Sequence, residues 1–150
     1  MNNLEKNNPV IPNIKRYVHI LTFLKDYYAY RKAQDSQFSH DLWSTELNFK
    51  SSSYMYLIAS GRRTITMKFI DQFCLVMKLS ASEKNHLILL ASYSKTKSPS
   101  LKEILFNKIL ENLEGNENTI DAKNYFKFIS SATMPVIIVA LGFDDVKGSE

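Results

Sequence analysis

The side chains with chemistry to offer gather between Lys50 and Lys68. Ser51, Ser52, Ser53 and Tyr56 carry hydroxyls that reach phosphate oxygens or base edges, and Lys50, Arg62, Arg63 and Lys68 carry the cations that neutralise phosphates. A planar guanidinium suits phosphate because its N–H fork meets two oxygens at once. Hydroxyls discriminate bases less sharply than the paired contacts of Arg, Asn or Gln, so the pattern predicts contact with double-stranded DNA and only weak sequence preference. The plainer alternative is that Ser51 to Ser53 form a helix cap and that the charges are solvated turn residues.

Other reactive side chains do not assemble into a site. His19, His40 and His86 fall on three different helices without metal-ligand spacing, so surface or boundary positions are expected for them. Cys74 lies on an apolar stripe and reads as a small core residue rather than a nucleophile. No Ser/His/Asp set, carboxylate pair or glycine-rich phosphate loop can be built from local spacing. The expectation is a protein that is not an enzyme and holds no metal or cofactor.

The elements that would position Lys50 to Lys68 are helices, because apolar residues recur at helical spacing almost throughout. A first helix is predicted over residues 14–33, with Tyr17, Ile20, Leu21, Leu24 and Tyr28 inward. Ser39 caps a short helix to about Leu47, with Leu42 and Trp43 inward, and Asn48 suits a left-handed turn. A second short helix spans about 52–60 and stops at Gly61; Ser44 supplies the small residue needed where the two helices cross. Tyr54 and Tyr56 point to opposite sides, one to the core and one outward. Thr66 caps the next helix, which carries Ile70, Phe73, Cys74 and Met77, and Ser80 with Glu83 forms a capping box for the one after it. Ser98-Pro99 then opens a helix carrying Leu101, Ile104, Leu105, Phe106, Ile109 and Leu113 to a stop at Gly115. Further helices are expected over 120–130 and from Met134-Pro135 to Gly142.

Charge divides along the same line. Residues 14–97 hold 13 Lys or Arg against 6 Asp or Glu, whereas residues 98–150 hold 5 against 8, so the first part is the one a polyanion would meet. A single cysteine excludes an internal disulfide, the first residues lack the basic-then-apolar pattern of a secretory signal, and Met134 to Leu141 is far short of the ~20 residues of a membrane span. A cytoplasmic location without membrane contact is expected.

The stretches FLKDYYAYRKAQDSQFS, NFKSSSYMYLIASGRRTIT and IDQFCLVMKLSASEKNHLILLASY resemble the start of a bacterial family of Cro/CI-like helix-turn-helix proteins, expanded in predatory and related species. The resemblance covers residues 14–97 and implies an all-α fold: a five-helix helix-turn-helix unit over 14–97, then two or three further helices over 98–145. It implies that Ser51 to Tyr56 begin the recognition helix, that Gly61-Arg62-Arg63 form the basic turn after it, and that Trp43 is the core aromatic of the preceding helix. Asn48 stands where such proteins usually have glycine, and they usually run on beyond this length, so the chain looks like a shortened member.

Three functional readings follow. The leading one is a DNA-binding transcriptional regulator. The second is a protein-interaction or scaffold module that kept the fold and lost the DNA role. The third is a shortened regulator acting by mixed dimerisation. The apolar run Val136 to Leu141 needs cover, either by folding back between the helices of residues 98–130 or by pairing with a second copy of the chain as a homodimer.

Overall fold

A computed structural model describes residues 9–114, which are helical apart from their connections. A 3-10 turn (η1, Ile14–Arg16) precedes six α-helices: α1 (Ile20–Gln34), α2 (His40–Glu46), α3 (Tyr54–Ala59), α4 (Met67–Met77), α5 (Ala81–Lys95) and α6 (Pro99–Asn112). Among these residues no helix is long and apolar enough to cross a membrane. The chain divides into a compact unit through Glu114 and a second unit from Gly115. The expected stop at Gly115, the helices over 120–130 and 134–142, and the apolar run proposed for dimerisation all lie outside the described residues.

Local chemistry sets most helix starts. Ser39, Thr66 and Ser98 each accept a hydrogen bond from a backbone N–H in the first turn of the helix they precede, at Leu42, Phe69 and Leu101. Ser80 and Glu83 complete both halves of the capping box. Asn48 and Lys78 adopt positive φ, 57° and 52°. The first was expected. The second ends α4 in the left-handed region, with its N–H held by the Cys74 and Leu75 carbonyls.

Tertiary contacts moved the remaining boundaries. The first helix is not continuous from Ile14, because Tyr17 and His19 are extended between η1 and α1. That break turns the Tyr17 carbonyl toward the buried His86, whose Nε2 lies 2.9 Å away. Of the predicted stripe Ile20 and Leu24 are buried and Tyr17 and Tyr28 pack at the core's edge, while Phe23 and Tyr27 complete the inward face of α1. Leu21 and Leu42, both expected inside, are 39% exposed.

The core is an aromatic cluster with Phe73 of α4 at its centre, in ring contact with Phe23 and Tyr27 of α1, Trp43 of α2 and Phe69. Cys74 is buried as expected, and burial pushes its thiol pKa up, away from nucleophilic use. Arg31 forms a two-pronged pair with Glu46 at 2.8 and 3.1 Å, tying α1 to α2. α6, where the extension over 98–145 begins, packs on α5 within the same unit. Its end is pinned to η1 by Lys15, which donates to Glu114 at 2.7 Å, while the Glu114 N–H donates to the Lys15 carbonyl.

Two predictions follow from this frame. His86 is fully buried and its Nδ1 has no partner among the described residues, so burial holds its pKa below the ordinary histidine value; the hydrogen bond to the Tyr17 carbonyl opposes this, Lys15 lowers it further and Glu114 opposes. The unfolded chain therefore binds a proton that the folded one refuses. The stability contributed is complete above about pH 6.5 and is lost as pH falls from there through the folded-state pKa. Urea midpoints at pH 5.5 and 7.5 should differ less in His86→Gln, which keeps a donor for Tyr17, than in the parent; some decline remains because burial also lowers His40. Equal differences would remove His86 from the account. Separately, Lys78→Gly should raise stability by up to about 1 kcal/mol, since glycine adopts the left-handed conformation without Cβ crowding; a lower melting temperature would contradict this.

Candidate nucleic-acid interface

A helix as short as α3 has no stability of its own and exists because its surroundings hold it. The anchor is Ser44, fully buried in α2. Its Oγ accepts from the Met55 N–H at 3.0 Å and lies 2.9 Å from the carbonyls of both His40 and Ser52, which share its single proton. The first turn of α3 is thereby fastened to the body of α2. Between them the Phe49 N–H donates to the Ser44 carbonyl, and the positive φ of Asn48 allows that reversal. A larger residue than serine at position 44 would push the helices apart and forfeit the hydroxyl.

The anchored helix buries Tyr54, Met55 and Ile58 and leaves Tyr56 exposed. Ser51, Ser52 and Ser53 are exposed ahead of it. Ser53 occupies the N-cap position, yet its side chain makes no cap bond and instead lies 3.1 Å from the Ser51 hydroxyl. The cap reading of this serine run therefore does not describe its side chains. Cap duty passes to Ser44, and the three serines keep their hydroxyls toward solvent.

The cations flank α3 on two sides. Arg63 lies over the Tyr54 ring at 4.6 Å, Tyr54 stacks on Phe49 with centroids 3.8 Å apart, and Lys68 lies 5.9 Å from the Phe49 ring. Two charges thus sit at the ends of one aromatic pair, each favoured by the negative ring face. Arg62 goes to the other side, over the exposed Tyr56 ring at 5.7 Å. Tyr56 meets His40 edge-on, and His40 stacks on Tyr28 with centroids 4.0 Å apart. These rings border an open, largely apolar groove of about 490 Å³ between α1, α2 and α3.

Gly61 makes the divergence of the two arginines possible. It has φ +73°, and a Cβ there would stand 3.0 Å from Leu21 Cδ1. The N–H groups of Arg62 and Arg63 both donate to the Leu57 carbonyl, which fixes their backbone immediately beyond α3. Leu21, misplaced in the core by periodicity, in fact lies under this turn. Lys50, Arg62, Arg63 and Lys68 are all exposed, and among the described residues none of them has an ion-pair partner. By contrast Lys15, Arg31 and Lys84 are each paired with a carboxylate.

Every residue singled out from Lys50 to Lys68 is therefore exposed and on or beside α3. Phe49 and His40 were not singled out. Phe49 had a signal, an aromatic directly after a positive-φ position, while nothing local marks His40 as part of a ring stack. Among the described residues no three His, Cys, Asp or Glu side chains gather as a metal site would require. No family model, curated protein or solved structure matches the chain, so the likeness to Cro/CI-like proteins rests on the residues quoted above alone.

Ser44→Ala should cost about 1–3 kcal/mol in urea unfolding, because the buried Met55 N–H loses its acceptor. Tyr56→Ala should fall within about 1 kcal/mol of the parent, since the ring is half in solvent. If the two variants unfold alike, Ser44 is not the anchor of α3.

Proposed function

We propose that this protein is a DNA-binding regulator in which α2, the bend at Asn48 and α3 act as a helix-turn-helix. The observation that carries the reading is the exposure of Ser51, Ser52 and Ser53 ahead of an anchored helix and of Tyr56 on it, beside four cations that have no carboxylate partner among the described residues. Unpaired cations on a fixed scaffold lose little on meeting phosphate, because no internal ion pair must first be broken. Hydroxyls on the same helix would then reach base edges or phosphates, with modest discrimination. The likeness to Cro/CI-like proteins points the same way, with Ser51 to Tyr56 at the recognition-helix start.

Exposed apolar side chains favour a second reading, a protein-interaction module. Leu75 of α4 is 72% exposed and Met67 is 54% exposed, both on a helix otherwise built for burial. Retention of a binding partner from nuclease-treated lysate by a variant that no longer binds duplex would support it.

The first reading is tested with a mixed-sequence duplex by fluorescence anisotropy over a salt series. The parent should bind tightly at low salt and lose affinity steeply as salt rises. Arg62→Ala with Arg63→Ala should weaken binding at least tenfold and flatten the log–log salt slope by about two, one for each lost phosphate contact. Absence of binding to any duplex at low salt, or a double variant indistinguishable from the parent, would defeat the reading.

A further inference from the structure

The two arginines beyond α3 border a second feature to which local motif reading gave no role. A basin of about 290 Å³ opens between the α3–α4 turn and the end of α5, and Arg62, Arg63, Lys95 and Lys97 all contribute to its lining. Leu21 and Gly61 contribute to its lining, and no carboxylate lines it. All four cations are exposed, and among the described residues none has an ion-pair partner. Lys95 is the last residue of α5 and Lys97 belongs to the short connection to α6. Two segments more than thirty residues apart in sequence thus bring like charges to one concave surface.

Like charges gathered on one concave surface repel, and the repulsion is greatest where low-dielectric protein focuses the field. Elsewhere among the described residues Lys15, Arg31 and Lys84 are each neutralised by a carboxylate. Here no carboxylate among the described residues does so, and a polyanion that displaces the screening counterions gains their release.

We infer that this basin seats backbone phosphates of the duplex that α3 engages, making the α5–α6 connection part of the DNA interface through Lys95 and Lys97. The inference rests on the DNA-binding reading and extends its footprint beyond the helix-turn-helix. A phosphodiester strand passing α3 would cross Arg62 and Arg63 and then meet Lys95 and Lys97, so the same charges serve both. The shared chemistry is phosphate, and a free phosphorylated small molecule is the other source to be distinguished.

The experiment compares the full chain, Lys95→Gln with Lys97→Gln, and Arg62→Gln with Arg63→Gln, each checked for unchanged helical circular dichroism. Binding to a mixed-sequence duplex is measured over a salt series, and inorganic pyrophosphate is titrated separately by calorimetry. The lysine variant should bind duplex about tenfold more weakly at low salt, with a salt slope lower by about two. Pyrophosphate at millimolar concentration should show no saturable binding. If the lysine variant binds duplex like the parent while the arginine variant is weakened, the basin inference falls and the DNA-binding reading stands. If pyrophosphate binds the parent saturably and the lysine variant loses only that, the basin belongs to a free phosphate ligand and the inference is overturned. If the parent binds no duplex, both fail together.

Discussion

One buried hydroxyl constrains the part of this molecule that faces solvent. Ser44 joins two carbonyls and one N–H from three places in the chain, His40, Ser52 and Met55, with no exposure of its own. A buried polar atom is tolerated only when it is satisfied, and here satisfaction requires one relative placement of α2 and α3. Slide α3 by a turn and the hydroxyl is orphaned. The anchor therefore selects geometry more than it adds stability, since a neutral hydrogen bond contributes only about 1 kcal/mol net. Everything presented on α3, from Ser51 to Tyr56, inherits its position from that selection.

The anchor needs a rigid α2, and the aromatic core supplies it. Trp43 precedes Ser44 and is buried against Tyr27, Phe38 and Phe73. Arg31 holds the other end of α2 through Glu46 while lying 4.3 Å from the Phe38 ring. Side chains of this size dominate core energetics, and their edge and offset contacts fix orientation as well as burial. The Ser44 hydroxyl can act as a positioning device because its own helix is packed into the core on one side and ion-paired to α1 at its end.

Much of the helix count was legible because caps are local chemistry. Ser39, Thr66, Ser80 with Glu83, and Ser98 with Pro99 each satisfy N–H groups a few residues away, so a short window of sequence contains the whole cause. Asn48 and Gly61 were legible for a similar reason: both residue types tolerate the left-handed backbone found there. Lys78 adopts the same conformation without any such signal. The break between η1 and α1 was hidden because its cause is His86, sixty-nine residues from the carbonyl it meets. Leu21 illustrates the limit of periodicity, which ranks residues by apolarity but cannot know that a glycine turn will lie on the helix surface. In the candidate site the opposite fates of Tyr54 and Tyr56 followed from helical geometry, whereas the stacking of Tyr54 on Phe49 depends on the bend between them.

Adjacent arginines usually act as one local charge, and the turn after α3 prevents that here. Both backbones hang from the Leu57 carbonyl, yet one side chain lies over Tyr54 and the other over Tyr56, which are themselves on opposite faces of α3. Helical alternation at residues 54 and 56 is thereby copied into the charge distribution beyond the helix. Positive potential then brackets α3 instead of concentrating at one end, and a polyanion lying along the helix would meet charge on both flanks. Gly61 sets this arrangement, because its φ of +73° is a conformation that residues with a Cβ rarely adopt. The bracket of charge is in this sense a backbone property: it depends on one positive φ angle at least as much as on the arginines that display it.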